Sequence, residues 1–199
     1  MSNPLANRDP KHSEENEGKG VSREHVDVAV GDPIAAVFAQ FEHWCYLCRV
    51  MSYTNLVYHI VFRTYRSIPA IEEAHEREFY AYAYGYTTRH RAKLYRIGGM
   101  PDHVHILVSL PPDLAVSEFV RGLKYATNGW MKQNPLFPLF AGWGEGYAAF
   151  TYSKEQIPVV KQYIINQKEH HRQTSFAEEY RKIILDGGGE IDDKYFLKD

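Results

Sequence analysis

Cysteine is scarce in this chain: Cys45 and Cys48 are the only two in 199 residues. Two neighbouring thiols cannot staple a fold, so a disulfide framework is excluded. Their Cys-x-x-Cys spacing is that of a redox pair or of half a zinc site, and no second ligand pair completes the latter. The count favours reduced thiols. Long apolar runs are missing too. No stretch reaches 18 residues, so no transmembrane helix is expected. The polar, charged N-terminus shows no signal peptide. Together these absences predict a cytoplasmic protein with no membrane partner. Strong charge of either sign is also absent, the formal net charge being −2. No internal repeat is apparent.

The distribution of charge says more than its total. Residues 1–50 carry five Lys/Arg against eight Asp/Glu, and 186–199 carry two against five. Residues 51–185 carry sixteen against twelve. A mildly basic middle between acidic ends permits phosphate binding without requiring it. Residues 1–33 are polar, without sustained periodicity, and read as disordered. Residues 34–50 are more apolar, enough for a short helix. The texture changes at Met51, so residues 1–50 read as a largely disordered extension and 51–199 as the domain.

Within that domain the pattern alternates. Tyr53–Thr64 reads as a strand with Leu56, Tyr58, Ile60 and Phe62 on one face. Ile71–His90 is a helix and Lys93–Ile97 a second strand. Gly98-Gly99-Met100-Pro101 reads as a turn, and Asp102–Leu110 as the third strand. Ser117–Gln133 is a helix with an apolar stripe of Phe119, Val120, Leu123 and Trp130, and Tyr147–Tyr152 a fourth strand. Ser153 is an N-cap for a helix running to about Gln173. A short helix at Phe176–Leu185 is stopped by three glycines. The order β-α-β-β-α-β-α is that of an α+β ferredoxin-like sandwich. It predicts an antiparallel sheet with helices on one face and an added C-terminal helical segment carrying Tyr163.

The chemistry concentrates in His103-Val104-His105. Side chains two apart on a strand point to the same face, so both imidazoles project together, within reach of one ion. A metal needs three or more ligands, and two histidines supply two. About sixty residues on, Tyr163 and Gln167 are four apart on a helix and share a face. A free phenol has a pKa of about 10 and is a poor nucleophile at neutral pH; a nearby cation favours the phenolate and polarises a phosphate oxygen. Gln167 offers a carbonyl oxygen as third ligand. His170 and His171 read as a solvated helix end. Histidines lining an open site would be removable without opening a core cavity.

These motifs, with their flanking blocks, resemble the single-tyrosine HUH transposases of small bacterial insertion sequences, the IS200-like family. The resemblance runs from Met51-Ser-Tyr-Thr-Asn-Leu-Val-Tyr-His-Ile-Val-Phe62 through Gly98-Gly-Met-Pro-Asp-His-Val-His-Ile-Leu-Val-Ser-Leu110. It continues through Trp143-Gly-Glu-Gly-Tyr-Ala-Ala-Phe150 to Tyr163-Ile-Ile-Asn-Gln-Lys-Glu-His-His171, and leaves 1–50 without a counterpart. It implies His103, His105 and Gln167 as ligands of Mg²⁺ or Mn²⁺ and Tyr163 as the nucleophile. The reaction it implies is cleavage and rejoining of single-stranded DNA at hairpin-bearing element ends through a 5′-phosphotyrosine. It further implies a homodimer in which Tyr163 of one subunit serves the site of the other.

DNA contacts are expected among the basic residues Arg89, Arg91, Lys93 and Arg96, interleaved with Tyr86 and Tyr95, and among Arg121, Lys124 and Lys132 on the second long helix. Two rival readings share the fold. One is a hairpin-binding protein that does not cut. The other is a hydrolase using His-x-His and water, which leaves Tyr163 idle.

Overall fold

A computed structural model describes residues 53–199. The extension 1–50, with Cys45 and Cys48, lies outside the described residues. Four strands, β1 (Val57–Arg63), β2 (Lys93–Met100), β3 (His103–Ser109) and β4 (Ala148–Thr151), form one antiparallel sheet in the order β2-β3-β1-β4. Five α-helices accompany it among the described residues: α1 (Glu76–Arg89), α2 (Val116–Gln133), α3 (Ile157–Ile165), α4 (Gln167–His170) and α5 (Phe176–Asp186). This is the ferredoxin-like α+β arrangement that the element order predicts. No helix among the described residues is long and apolar enough to cross a membrane.

Alternation divides the sheet into two faces. Ile60 and Phe62 of β1 and Val104, Ile106 and Val108 of β3 meet Phe79, Ala83 and Tyr86 of α1 and Phe119, Val120 and Leu123 of α2. Phe62, Phe79 and Phe119 are essentially fully buried, each stabilising the fold by about 1.5–3 kcal/mol relative to exposure. The odd-numbered residues of β1 and β3 point the other way. There Val57 and Leu107 pack on Val160 and Ile164 of α3, and Val61 and Ala148 on Phe176 of α5. The two crossover helices therefore cover one face and the later helices the opposite one.

Two segments depart from the sequence reading. The Gly98–Met100 turn is strand instead: β2 continues to Met100, Gly98 opposing His105 and Met100 opposing His103, so the reversal is made by Pro101 and Asp102 alone. Gly98 is needed as glycine here, because a Cβ would lie 2.9 Å from Ile164 Cγ2 and 3.0 Å from Ile164 O. The strand can continue because the helix above it comes down onto bare backbone. The helix expected from Ser153 to Gln173 is divided. A capping box of Ser153 and Gln156 opens a 3₁₀ turn, Pro158 starts α3, and Asn166 separates α3 from α4.

Candidate active site

The site forms where β1 and β3 meet the later helices. His103 and His105 lie on the face opposite the main core, and both are completely buried. Each ring is held through its Nδ1. His103 Nδ1 donates to Asp102 Oδ1 at 2.7 Å, and His105 Nδ1 lies 3.0 Å from His59 Nε2. Both Nε2 atoms are thereby aimed into the site. Tyr163, from α3, donates its hydroxyl to Glu179 Oε1. Gln167, from α4, donates its Nε2 to the same oxygen at 2.8 Å. The Tyr163 and His105 rings lie edge-on with centroids 5.9 Å apart. One chain thus brings His103, His105, Tyr163 and Gln167 together.

Glu179, on α5, is the hub that sequence reasoning missed. Its Oε2 stands 3.5 Å from the Nε2 of both His103 and His105 and 2.9 Å from His171 Nε2. His171 was expected at a solvated helix end, but only 6 % of its side chain is exposed. Its Nδ1 lies 2.9 Å from the carbonyl of Thr174. A carbonyl and a carboxylate both accept, an arrangement that favours a hydrogen on each ring nitrogen and hence the imidazolium form of His171. The signals for these residues are faint. Glu179 adjoins Glu178, which completes a capping box with Ser175, and only the next residue round the helix turns inward. His59 was detectable in principle, because it alternates away from Tyr58, Ile60 and Phe62 and so shares the face of His103 and His105.

The electrostatics follow from burial and from Glu179. Burial pushes His59 down to about 3, helped by His105. It also pushes His105 down to about 4 against the pull of Glu179. Burial, the hydrogen bond to Glu179 and its charge raise the Tyr163 phenol. Burial alone would raise Glu179, but the neighbouring His105 ring and the hydrogen bonds from His171 and Tyr163 hold it well below the usual carboxylate range. For His171 burial is outweighed by Glu179, and the imidazolium is favoured.

A direct test of metal capacity is which buried polar atoms lack partners. Among the described residues these are His103 Nε2, His105 Nε2 and Gln167 Oε1. Orphaned buried acceptors cost about 1–3 kcal/mol each; the two imidazole Nε2 atoms both lie 3.5 Å from Glu179 Oε2 and Gln167 bonds the same carboxylate through Nε2, a donor set that fits a cation. The three orphaned atoms are those predicted as ligands.

The predicted DNA contacts lie elsewhere. Lys93 opposes Ser109, at the far end of β3 from His103, a separation of about 20 Å at strand rise. Arg89, Arg91, Lys93, Arg96 and Arg121 are exposed, with Arg91 paired to Asp113 at 2.7 Å. Lys124 is committed internally: its ammonium donates to the carbonyls of Gly144 and Gly146 and sits over the Phe62 ring. Burial, then Arg63, lowers it to about 8. Tyr86 is buried against Phe119 and is unavailable for base stacking, whereas Tyr95 is half-buried with Lys93 over its ring.

The family model described as IS200-like transposase matches residues 52–167. That is more than half the chain, and the chain belongs to this family; it is a transposase. Among solved structures it is similar to a candidate transposase from Deinococcus radiodurans R1, at 24% identity and a TM-score of 0.47, covering 59% of this chain and 94% of that one. It is also similar to a REP-associated tyrosine transposase bound to a REP hairpin, at 11% identity and a TM-score of 0.49, covering 75% of this chain and 98% of that one. No curated protein matches the chain significantly. The family match ends at Gln167, so His171 and Glu179 lie beyond it.

Proposed function

We propose that this transposase cleaves and rejoins single-stranded, hairpin-bearing DNA through a covalent link to Tyr163. The observation that carries the reading is that His103, His105, Gln167 and Tyr163 all meet one buried carboxylate, Glu179, with His103 Nε2, His105 Nε2 and Gln167 Oε1 left without hydrogen-bond partners. His103, His105 and Gln167 would hold a divalent cation, Mg²⁺ or Mn²⁺, which supplies charge for the phosphate oxygens and favours the phenolate. Asp102 and His59 fix the ring orientations that present Nε2. Tyr163 Oη gives up its proton and forms a bond to phosphorus while the P–O3′ bond breaks, and the departing 3′-oxygen takes up a proton, leaving a 5′-phosphotyrosine and a 3′-hydroxyl with no net change in protons. Attack by another 3′-hydroxyl reverses the step and joins strands. Holding the phenol within one rigid cluster lowers the entropic cost of in-line attack. Arg89, Lys93 and Arg96, exposed beside the half-buried Tyr95, are the surface we assign to DNA, too distant to touch the reacting phosphate.

Domain 51–199 is the catalytic unit in this reading, and it works in the cytoplasm. The working form is a homodimer, for which the open edges of β2 and β4 offer unpaired backbone groups. Sedimentation of the purified chain as a monomer at micromolar concentration would remove that element. Within one chain the Tyr163 and His105 rings lie 5.9 Å apart, which supports a reading in which each phenol serves the site of its own subunit.

The decisive test uses labelled hairpin DNA with Mn²⁺ and a denaturing gel. Wild type should give a protein–DNA adduct, and Tyr163→Phe should abolish it while still binding the DNA. An adduct formed by Tyr163→Phe would refute the nucleophile. Tight hairpin binding by wild type without any adduct would favour the non-catalytic reading.

A further inference from the structure

We infer that Glu179, supplied by the last helix, is itself a ligand of the divalent cation, so that His103 Nε2, His105 Nε2, Gln167 Oε1 and Glu179 Oε2 hold it together. The inference rests on the proposed reading of the site as a metal centre. Its first support is spacing. Two ligand atoms about 2.1 Å from one cation lie about 3.0 Å apart at an octahedral angle and about 3.4 Å apart at a tetrahedral one. Glu179 Oε2 is 3.5 Å from both imidazole Nε2 atoms. Hydrogen bonds would have drawn these pairs to about 2.7–3.0 Å. The carboxylate instead stands off from two buried nitrogens that have no hydrogen-bond partner, with room for an ion between them.

The second support is how the carboxylate is held. Tyr163 and Gln167 both donate to Oε1, which turns Oε2 towards the histidines. His103, His171 and Glu179 offer ligand atoms within 4.8 Å of one another. However, both nitrogens of His171 are engaged, with Thr174 O and Glu179 Oε2. His171 is therefore a positioning residue, holding Glu179 Oε2 through its Nε2, and not a ligand. The third support is charge. Two imidazoles and an amide carry none, whereas Mg²⁺ and Mn²⁺ favour anionic oxygen. The Glu179 carboxylate, with only 2 % of its side chain exposed, has His171 as one cationic neighbour, and a dication would supply the charge that the two neutral imidazoles do not. Because Glu179 lies outside the family-matched segment 52–167, this ligand belongs to the chain's C-terminal region.

The test measures metal binding by the full chain, independently of cleavage. Mn²⁺ affinity is read from the loss of the free-ion EPR signal, and Co²⁺ coordination from the visible d–d bands. Relative to wild type, Glu179→Gln should weaken Mn²⁺ binding about tenfold or more and change the Co²⁺ spectrum, while His103→Ala should abolish binding. If Glu179→Gln binds as tightly as wild type with an unchanged spectrum, and His103→Ala still abolishes binding, Glu179 merely fills the site: the inference falls and the metal reading stands. If His103→Ala binds normally, or wild type binds no Mn²⁺, the metal reading falls and takes the inference with it. Should Glu179→Gln fail to fold by circular dichroism, Glu179→Asp withdraws the carboxylate by one methylene. It should also weaken binding; unchanged affinity would overturn the inference.

Discussion

His59 Nε2 lies 3.0 Å from His105 Nδ1, and the two rings stack with centroids 5.2 Å apart. A single hydrogen joins the nitrogens. For His105 to present a lone pair at Nε2, its Nδ1 must carry that hydrogen and His59 must accept it. A histidine outside the HUH triplet thus governs which tautomer its neighbour adopts.

This buried pair gives a pH prediction for the cation-free protein. His59 is lowered to about 3 and His105 to about 4, against 6.5 in the unfolded chain. Between pH 6.5 and about 4 the unfolded state binds more protons, so stability is full above 6.5 and is lost as pH falls through that window. Each histidine removes up to about 1.4 kcal/mol per pH unit there. The raised His171 acts above 6.5 and the lowered Glu179 below the usual carboxylate range, so neither cancels the trend. The melting temperature in chelator should fall between pH 7 and pH 5. A flat or rising profile would refute the assignment of neutral, buried rings.

Removing His103 should cost stability as well as activity, which corrects the expectation that strand histidines facing a site leave no cavity. The site is roofed: His103 is fully buried and stacks on Phe176 at 4.3 Å. His103→Ala should lose about 1–3 kcal/mol and lower the melting temperature by about 2–4 °C per kcal/mol, alongside loss of cleavage. Thermal melts show which applies: an unshifted midpoint would mean an open site.

Gly98 sets the height of the tyrosine helix. Gly98→Ala should displace α3 at Ile164, destabilise the protein by about 1–3 kcal/mol and slow cleavage at least about tenfold through misplacement of Tyr163. DNA binding should be retained. Single-turnover cleavage alongside a binding assay makes the comparison, and wild-type cleavage would show that α3 adapts without moving the phenol.

A chain beginning at Met51 should fold and cleave at the rate of the full protein, since the family match starts at residue 52 and every site residue described lies beyond it. Insolubility or inactivity of the shortened chain would assign 34–50 to the domain.

Strand alternation made the sheet and its two faces legible, because one apolar face against one carrying histidines leaves a single consistent register. His103, His105, Tyr163 and Gln167 were legible because spacings of two on a strand and four on a helix are geometric. Glu179, His171 and His59 were not, since their roles depend on tertiary approach and local sequence gives each an ordinary alternative. Glu178 and Glu179 differ in fate only by their phase on α5. The internal engagement of Lys124 was hidden for a similar reason: nothing in its helix announces that two loop carbonyls will take its ammonium.

The two-residue reversal at Pro101 and Asp102 ties fold and chemistry to one register. Pro101 O accepts from the backbone of Ala70 and Ile71, and Asp102 O from that of Thr64, which pins the hairpin in place. A slip of one residue in β3 would send His103 and His105 among Phe79 and Phe119 and turn Val104 and Ile106 towards Tyr163. The same error would ruin the core and scatter the candidate site together, so a chain that fails to register this hairpin loses stability and site in one step.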